Sequence, residues 1–487
     1  MKKDYFELIY KFNTTKINND ALGTKECISK AKKMLNETSL SNEEKVSLYY
    51  SIATAYSDLV RLLIKQDEVL EKDESITQSL YYFNMAINDL NKIKPYANDL
   101  FQRIYTNAAI MYSSNGRLIK ALQLLDKTTY KNNAFPMAMA HRCGILEKYS
   151  KLYNHQEKSS TMIKVGYENL CIALSCEEAL KREDALDFFL GYRTYLEKNY
   201  TPSVLNKVIL HEGISFGKRK KDKDYRTWTT VHSLNLNVLN DIMLNGLSAF
   251  DDIHLPDMRY LEGDGTYEFH FGCFNQIVQE YTSARYLLYS GQKEKKSVCT
   301  ADVNVSQMDM YKTVESYSDF CIRTAFRIIY SLFDRIAFFI NEYWKIGISI
   351  DKMSYKMLTN NEQFCNLSID NEMLKAIYWT SKEFYEIDYA STINPEAKKM
   401  CKLRNYMEHR YLAATLSDDC EDTKYIKYIT TSELYTRTIE LFRLCRETII
   451  YLVLAIGIEE NRKAIEEADK GIEYTVKKFT PIPDICK

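Results

Sequence analysis

Apolar side chains recur every three or four positions through most of the first 200 residues. This recurrence is typical of helices that bury one face, and it predicts one helix after another from about residue 42 to 200. Ser41 and Glu44 have the spacing of a capping box, which predicts that a helix starts there, and Pro95 suits the first turn of a later helix. Two of the apolar stripes are Leu48, Ile52, Ala55, Tyr56 and Leu59, and Leu80, Phe83, Ile87 and Leu90.

A helix–turn–helix unit is clearest in the middle of this stretch. Small Ala108 and Ala109 lie in its first helix, Asn115 and Gly116 supply a turn, and small Ala121 lies in its second helix. The unit resembles a tetratricopeptide repeat (TPR), although the full consensus is absent. Stacked helical hairpins usually form a concave surface that binds protein segments. The array is therefore predicted to bind a protein or peptide, with a purely structural scaffold as the alternative.

Residues 201 to about 305 have a different composition, in which Gly, Pro, His and Asp concentrate. The short run from Tyr267 to Phe271 lies among glycines and predicts a small hairpin or an irregular loop. A helix is predicted to resume from Phe274 to Tyr289. The most basic stretch of the chain, Lys218 to Lys223, is predicted to be a solvated loop, with contact to an RNA backbone as the alternative.

Long amphipathic patterns return from about residue 310 and predict four helices. Helices of this length form a bundle around a shared stripe of Phe, Ile, Leu and Tyr. Residues 346–370, after the first of them, are predicted to be a loop or a short extra helix. The four helices are predicted over Asp309–Trp344, Asn371–Tyr385, Pro395–Leu412 and Glu433–Ile456.

The fold class predicted from these patterns is all-α, with TPR-like helical hairpins in front of a helical bundle. Gly (15) and Pro (7) are both scarce, which favours long helices. The 38 Tyr suit grooves between stacked helices, because the ring packs while the hydroxyl keeps a polar tip. The predicted organisation is an array at 1–200, a loop-rich connecting region at 201–305, a bundle at 306–460 and a C-terminal tail at 461–487.

Charge and cysteine usage narrow the class of protein. The formal net charge is −1, so the chain is not a basic nucleic-acid coat, and any nucleic-acid site must be a local patch. The 12 Cys include no C-x-x-C pair, which favours free thiols in a reducing compartment over zinc ligation. The N-terminus lacks the pattern of a signal peptide, and the longest apolar run, Ile449–Ile456, is far short of a membrane span. We expect a cytoplasmic protein without a membrane partner.

The third predicted bundle helix concentrates functional side chains. Arg404 and His409 lie five positions apart, roughly 140° around a helix, and can flank a groove from two sides. Asn405 shares a face with His409 and can orient the imidazole or touch a substrate. Glu408 lies one turn beyond Arg404 and can hold its guanidinium. Asp334 interrupts an apolar face of the first bundle helix, and it is predicted to be a buried acid paired with a base, or part of the active site.

The same helix carries a local positive patch that the net charge conceals, and this patch suits cleavage of RNA. RNA supplies its own nucleophile, the 2′-hydroxyl; histidine can act as acid or base, and arginine can steady a phosphorane. This route needs no metal, and no metal site is assigned, because Asp251, Asp252 and Asp264 lack an ordered ligand spacing. The patch consists of Lys398, Lys399, Lys402, Arg404 and Arg410, opposed by Glu396 and Glu408.

The Arg-x4-His spacing, with polar Asn405 directly after the Arg, resembles the signature of the HEPN superfamily. The surrounding sequence resembles a bacterial HEPN subfamily that is fused to tetratricopeptide-like repeats, and the resemblance covers about residues 225–455. Three segments resemble helices of that domain and a fourth resembles the stretch that precedes it. They are Arg323–Tyr343, Ile377–Lys382, Leu403–Leu412 and, upstream, Asn275–Leu288.

The resemblance implies a ribonuclease in which Arg404 and His409 are catalytic. HEPN ribonucleases usually form homodimers, with two Arg/His motifs facing one composite cleft, and act without a metal or other cofactor. They typically leave a 2′,3′-cyclic phosphate and a 5′-hydroxyl, and many are toxins or antiviral defence effectors that a sensing partner triggers. The resemblance implies that the bundle cuts RNA, and that the array senses a partner or restrains the nuclease. We expect supporting roles for Asn405, Glu408 and Asp334, and RNA contacts from Lys399, Lys402 and Arg410.

Several alternatives remain open. Arg404 and His409 can be an ordinary surface pair on a basic helix. The chain can be a non-catalytic regulator whose array binds a peptide or protein, while its bundle only dimerises or binds nucleotide. It can also be a toxin that cuts one defined RNA, such as a tRNA. The aromatic stripe at 326–343 is predicted to be core or dimer interface rather than a platform for base stacking.

Overall fold

The computed structural model is almost entirely helical, which confirms the predicted all-α class with an array before a bundle. The chain divides into two compact units. The array unit comprises Met1–Lys151, Ser159–Lys207 and Lys382–Lys398, and the bundle unit comprises Leu152–Lys158, Val208–Ser381 and Lys399–Lys487. The residues that the structure describes are 2–37, 39–63, 69–90, 92–93, 98–129, 135–153, 155–182, 184–207, 216–217, 219–293, 316–384, 392–415 and 420–478.

Helices that follow one another in the array unit pack together, because each buries an apolar stripe against its neighbours. The stripe predicted around Ile52 is part of the core that the first three helices share. The helices are α1 (Lys2–Ile17), α2 (Ala21–Glu37), α3 (Asn42–Leu63), α4 (Val69–Leu90), α5 (Asn98–Ser114), α6 (Leu118–Thr129), α7 (Pro136–Leu152), α8 (Gln156–Leu174), α9 (Glu177–Arg182), α10 (Leu186–Asn199) and α11 (Pro202–Leu205).

Two local signals in the array are confirmed. The Ser41 hydroxyl accepts a hydrogen bond from the Glu44 amide at 3.2 Å, and the Glu44 carboxylate accepts one from the Ser41 amide at 2.8 Å, which makes the reciprocal capping box of α3. The turn between α5 and α6 contains Gly116 at a φ of 82°, a left-handed value that favours glycine. Pro95, which was predicted to restart the chain, lies outside the described residues.

The bundle unit contains the predicted long helices and two short strand pairs. α13 packs along α14, and α19 packs against both α14 and α17. The region at 346–370 contains two short helices, which matches the second alternative for that stretch. The elements are α12 (Lys220–Val231), β1 (Met258–Tyr260), α13 (Tyr267–Lys293), α14 (Tyr317–Tyr343), α15 (Tyr355–Thr359), α16 (Glu362–Asp370), α17 (Glu372–Ser381), α18 (Ala397–His409), β2 (Tyr411–Thr415), β3 (Ile426–Thr430), α19 (Thr431–Lys470) and β4 (Thr475–Lys477).

Two loop predictions are wrong. The run from Tyr267 to Phe271 is neither a hairpin nor an irregular loop, because it forms the first turns of α13. The Phe269 ring of this run packs against the Phe338 ring of α14, with 5.4 Å between their centroids. Packing against a helix distant in sequence thus outweighs the local alternation of polar and apolar residues. The basic residues from Lys220 onwards begin helix α12 instead of forming a loop, although Lys220, Lys221 and Lys223 are exposed as predicted.

The third bundle helix ends earlier than predicted. α18 stops at His409, and the chain turns at Arg410 into β2, so the predicted helical end at Leu412 is wrong. β2 pairs in parallel with β3, and Leu412 lies opposite Lys427 in the register. β3 runs directly into α19, whose first turn is capped by the Thr430 hydroxyl. The strand at 411–415 therefore depends on a partner that follows it in the chain, which a local helical pattern does not reveal.

The irregular stretch between α12 and β1 is buried against the bundle. Arg446 of α19 binds the Asp241 carboxylate at 2.6 Å, with both side chains fully buried, and donates to the Asn237 carbonyl at 2.7 Å. Arg285 of α13 binds Asp251 and donates to the Leu234 carbonyl at 2.8 Å. These buried guanidiniums bind backbone carbonyls of the stretch, which contains two short 3-10 helices at Val238–Asp241 and Gly246–Ser248. The two arginines thereby fix the stretch against the bundle.

The last described residues also form regular secondary structure. α19 continues past the predicted end at Ile456 to Lys470, and Gly471 ends it with a left-handed φ of 66°. β4 then pairs antiparallel with β1. In the described part of the chain, no helix has both the length and the apolar character that crossing a membrane requires.

Candidate active site on helix α18

Helix α18 presents one face to the bundle core and the other to solvent. Met400, Leu403 and Met407 recur at helical spacing and are buried, so they set the rotation of the helix. This rotation leaves Arg404 half-buried beside the apolar stripe and exposes His409. The two predicted catalytic side chains therefore lie on α18 with access to water, and neither tip is enclosed in the apolar core.

Arg404 lies over an aromatic ring of α14. Its guanidinium carbon is 5.6 Å from the centre of the Tyr330 ring, within range of a cation–π interaction. Its Nη1 donates a hydrogen bond to the Asn405 Oδ1 at 3.2 Å. Asn405 was predicted to orient the imidazole or touch a substrate, and in the structure its carbonyl oxygen contacts the guanidinium. Tyr330 and Asn405 together limit the directions that the Arg404 side chain can take.

Asp334 lies on α14 one turn beyond Tyr330, and it is exposed rather than buried as predicted. Its Oδ1 accepts a hydrogen bond from the Tyr355 amide at 2.8 Å, so the carboxylate binds a backbone amide at the start of α15. Partial desolvation raises the pKa of the Asp334 carboxyl, while the Tyr355 amide and the charge of Arg404 oppose the rise. Asp334 therefore caps a helix and also acts electrostatically on Arg404.

Glu408 does not form the contact that the sequence suggested. Its carboxylate pairs with Arg327 of α14 at 3.7 Å, and not with Arg404. Arg327 also donates from Nη2 to the Met407 carbonyl near the end of α18. Arg327 thus joins the last turn of α18 to α14 directly in front of His409, so it supports the backbone that carries the imidazole.

Sequence reasoning missed Arg327 and gave Tyr330 only a packing role. A signal was present, because α14 carries polar side chains at Arg323, Arg327, Tyr330 and Asp334, spaced by four, three and four residues. These spacings place them on one face of the helix, and three of them contact or electrically influence α18. A polar stripe on an otherwise apolar helix predicts a functional or paired face.

The predicted RNA-contact residues are all exposed. Lys399 and Lys402 lie on α18, and Arg410 follows its last residue with its guanidinium carbon 5.4 Å from the Tyr406 ring centre. Glu408 is the acid on this stretch, and Arg327 offsets it. The end of α18 is therefore a locally positive surface on a chain whose formal net charge is −1, which suits a phosphate backbone.

The arrangement offers phosphate binding and proton transfer on neighbouring parts of one helix. A braced guanidinium can hold non-bridging phosphate oxygens, and an exposed imidazole can give or take a proton. Among the described residues, no cluster of three or more His, Cys, Asp or Glu side chains has the arrangement of a metal site. The ten cysteines in the described ranges are free thiols.

Comparison with known protein families identifies the domain that contains this helix. Residues 263–459 match the family model described as LA2681-like HEPN, a range that extends from just before α13 into α19 and includes Arg404 and His409. Searches of curated proteins and of solved structures found no match. HEPN domains are generally ribonucleases, so the match supports an RNA-directed activity at the coarse level. Residues 263–459 of this chain form an HEPN domain of the LA2681-like family.

Proposed function

We propose that this protein is a metal-independent RNA endonuclease whose active site is formed by Arg404 and His409. The observation that carries the proposal is the placement of both side chains on the solvent-facing part of α18, with Arg404 braced by Tyr330. The HEPN match supports the same activity class. Lys399, Lys402 and Arg410 supply positive charge for the RNA backbone on the same stretch.

The reaction is an internal transesterification of RNA. The 2′-oxygen attacks the adjacent phosphorus, the bond from phosphorus to the 5′-oxygen breaks, and the products are a 2′,3′-cyclic phosphate and a 5′-hydroxyl. The 2′-hydroxyl loses a proton and the leaving 5′-oxygen gains one. His409 performs one of these proton transfers, because imidazole titrates near neutral pH. Arg404 holds the non-bridging oxygens as negative charge develops on them.

A homodimer accounts for the second proton transfer. Two copies of α18 that face one cleft would bring a second Arg404 and His409 to the same phosphate, so one imidazole accepts a proton while the other donates one. This arrangement follows the pattern of HEPN ribonucleases. We further propose that the protein is a toxin or antiviral defence effector in the cytoplasm, and that a protein or peptide trigger acts through the TPR-like array.

A second candidate function is a non-catalytic regulator. Here the array binds a peptide or protein, and the HEPN bundle only dimerises or binds nucleotide. The observation that favours it is that the array unit already holds a segment of the chain, residues 382–398, from outside its own sequence range. RNA cleavage that depends on His409 would exclude this candidate.

The decisive experiment compares RNA cleavage by the full chain and its His409→Ala and Arg404→Ala variants in EDTA. We expect each variant to lose about 10²-fold or more in rate, as for loss of a general acid–base or a charge-stabilising group. Arg462→Ala is the matched control, since Arg462 pairs with Glu459 and Glu466 on α19. Direct labelling of new 5′-hydroxyl ends identifies the product and maps the sites. Equal cleavage by wild type and both variants would remove the proposal.

A further inference from the structure

Residues 382–398 follow α17 and include the first two residues of α18, but they belong to the array unit. We call this segment the docked loop; the structure describes it at 382–384 and 392–398. Its two ends are held together, because the Lys382 carbonyl accepts hydrogen bonds from the Ile393 amide at 3.1 Å and from the Thr392 hydroxyl at 2.7 Å. Phe384 and Ile393 are buried. The two described ends of the loop are therefore bonded to each other, and each end buries an apolar side chain.

The docked loop offers a carboxylate to a buried arginine of the array. Arg117 follows the Asn-Gly turn between α5 and α6, is fully buried, and pairs through Nη1 with the Glu383 carboxylate. Burial alone would raise the pKa of the Glu383 carboxyl, but Arg117 and Lys120 lower it overall. The guanidinium also lies over the Tyr112 ring, 5.1 Å from its centre. Release of the loop would take the Glu383 carboxylate away from this buried cation, which is unfavourable.

A second contact recognises the backbone of the docked loop. The Asn84 amide nitrogen of α4 donates to the Ile393 carbonyl at 2.7 Å and to the Tyr112 hydroxyl at 2.8 Å. Both of its N–H groups are thereby used. The array surface around Asn84, Tyr112 and Arg117 is thus suited to a peptide that presents one carboxylate and one carbonyl beside a buried apolar side chain.

The docked loop runs without interruption into the candidate catalytic helix. Its residues Ala397 and Lys398 are already the first two residues of α18, and Arg404 follows within two turns. We propose that the docked loop is a tethered ligand of the array, and that an acidic peptide competing for Arg117 and Asn84 releases the loop and changes the conformation of α18. The effect on RNA cleavage rests on the proposed function, whereas the competition does not.

The competition can be measured on the full chain with a synthetic peptide of residues 380–398. We expect this peptide to bind the Glu383→Gln protein about tenfold or more tightly than wild type, because the site is occupied for less of the time in the variant. Arg117→Gln should abolish binding, and Asn84→Ala should weaken it if Arg117→Gln fails to fold. A Glu383→Gln peptide should bind poorly. Arg103→Gln is the matched control, since Arg103 forms an exposed pair with Asp99 on α5.

Equal binding to wild type, Glu383→Gln and Arg117→Gln proteins, or no binding to any, would overturn the proposal. Amide hydrogen exchange gives an independent result: the first turn of α18 should exchange faster in Glu383→Gln than in wild type or Arg103→Gln. Both measurements omit RNA, so they succeed or fail separately from the nuclease assay. If wild type cuts RNA, Glu383→Gln and added peptide should shift the cleavage rate in the same direction. Both perturbations shift the same equilibrium, between the docked and the released loop, towards release. Opposite shifts, or none, would overturn control by the loop.

Discussion

The contact between Arg404 and Tyr330 gives the most direct test of how α14 supports the candidate site. We expect Tyr330→Leu to lower the rate of RNA cleavage and Tyr330→Phe to preserve most of it. Leucine fills much of the same space but has no π face, whereas phenylalanine keeps the ring beneath the guanidinium. The hydroxyl of Tyr330 is not required for this contact, which joins the ring and the Arg404 guanidinium carbon at 5.6 Å.

The size of the effect follows from the exposure of the pair. A cation over an aromatic ring contributes about 0.5–1 kcal/mol at an exposed site and about 2 kcal/mol when desolvated. Arg404 and Tyr330 are both half-buried, which places the contact near ~1 kcal/mol. Since ~1.4 kcal/mol corresponds to a factor of ten in rate, the leucine variant should cleave about fivefold more slowly. The loss appears in the rate only if Arg404 is positioned for the phosphate in the transition state.

The assay is single-turnover cleavage of a labelled RNA with protein in excess, together with urea denaturation of each variant. Matched stabilities would show that the rate reports on the site and not on unfolded protein. Tyr286→Leu is a suitable control, since Tyr286 is an exposed aromatic residue on α13. If Tyr330→Phe were as slow as Tyr330→Leu, the hydroxyl and not the ring would be important. If both variants equalled wild type, the idea that Tyr330 braces Arg404 would be refuted.

Three further predictions concern the pH dependence of stability, helix capping and RNA binding. Desolvation would raise the pKa of the Asp251 carboxyl, but Arg285 and the Leu236 amide hold this pKa below its ordinary value. The ionised carboxylate therefore stabilises the fold above the unfolded pKa of about 3.9. This stabilisation is lost as the pH falls through the lower pKa of the folded state. The destabilisation by Asp251→Asn in urea should accordingly be large at pH 7 and shrink in acid; a constant difference would contradict this. Ser41→Ala should lower the urea-derived free energy of unfolding by about 1 kcal/mol through loss of the α3 cap, whereas Ser175→Ala, at an exposed hydroxyl after α8, should change it little. Lys402→Ala should weaken RNA binding at low salt and reduce the slope of log affinity against log salt concentration by about 0.7 for a single strand, and an unchanged slope would show that Lys402 does not contact phosphate.

Much of the helical organisation was determined by the sequence alone. The capping box at Ser41 and the turn at Gly116 are formed by residues that lie within a few positions of each other, so their structure depends on local chemistry. The long apolar stripes of α14 and α19 are equally local, since the helical period fixes which side chains share a face. The Arg-x4-His motif and its surroundings likewise predicted the HEPN domain from the sequence.

The contacts within the candidate site were decided by tertiary structure. Glu408 was free to pair with any nearby guanidinium, and only the packing of α18 on α14 selected Arg327 over Arg404. The same packing placed Tyr330 under Arg404 and left Asp334 at the start of α15. Such choices depend on which helices meet and at what rotation, and neighbouring residues in the chain carry little information about either.

Two other features were also decided by tertiary contacts and not by the local sequence. The residues after His409 could continue α18 or leave it, and the parallel partner β3 decided for a strand. The docked loop carries no motif that assigns it to the array; the pairing of Glu383 with Arg117, 266 positions earlier in the chain, does so. Helix and turn formation depend on interactions between near neighbours, which one sequence displays. Partner choice between distant segments depends on the free energy of the whole packed chain, and only the folded structure displays that.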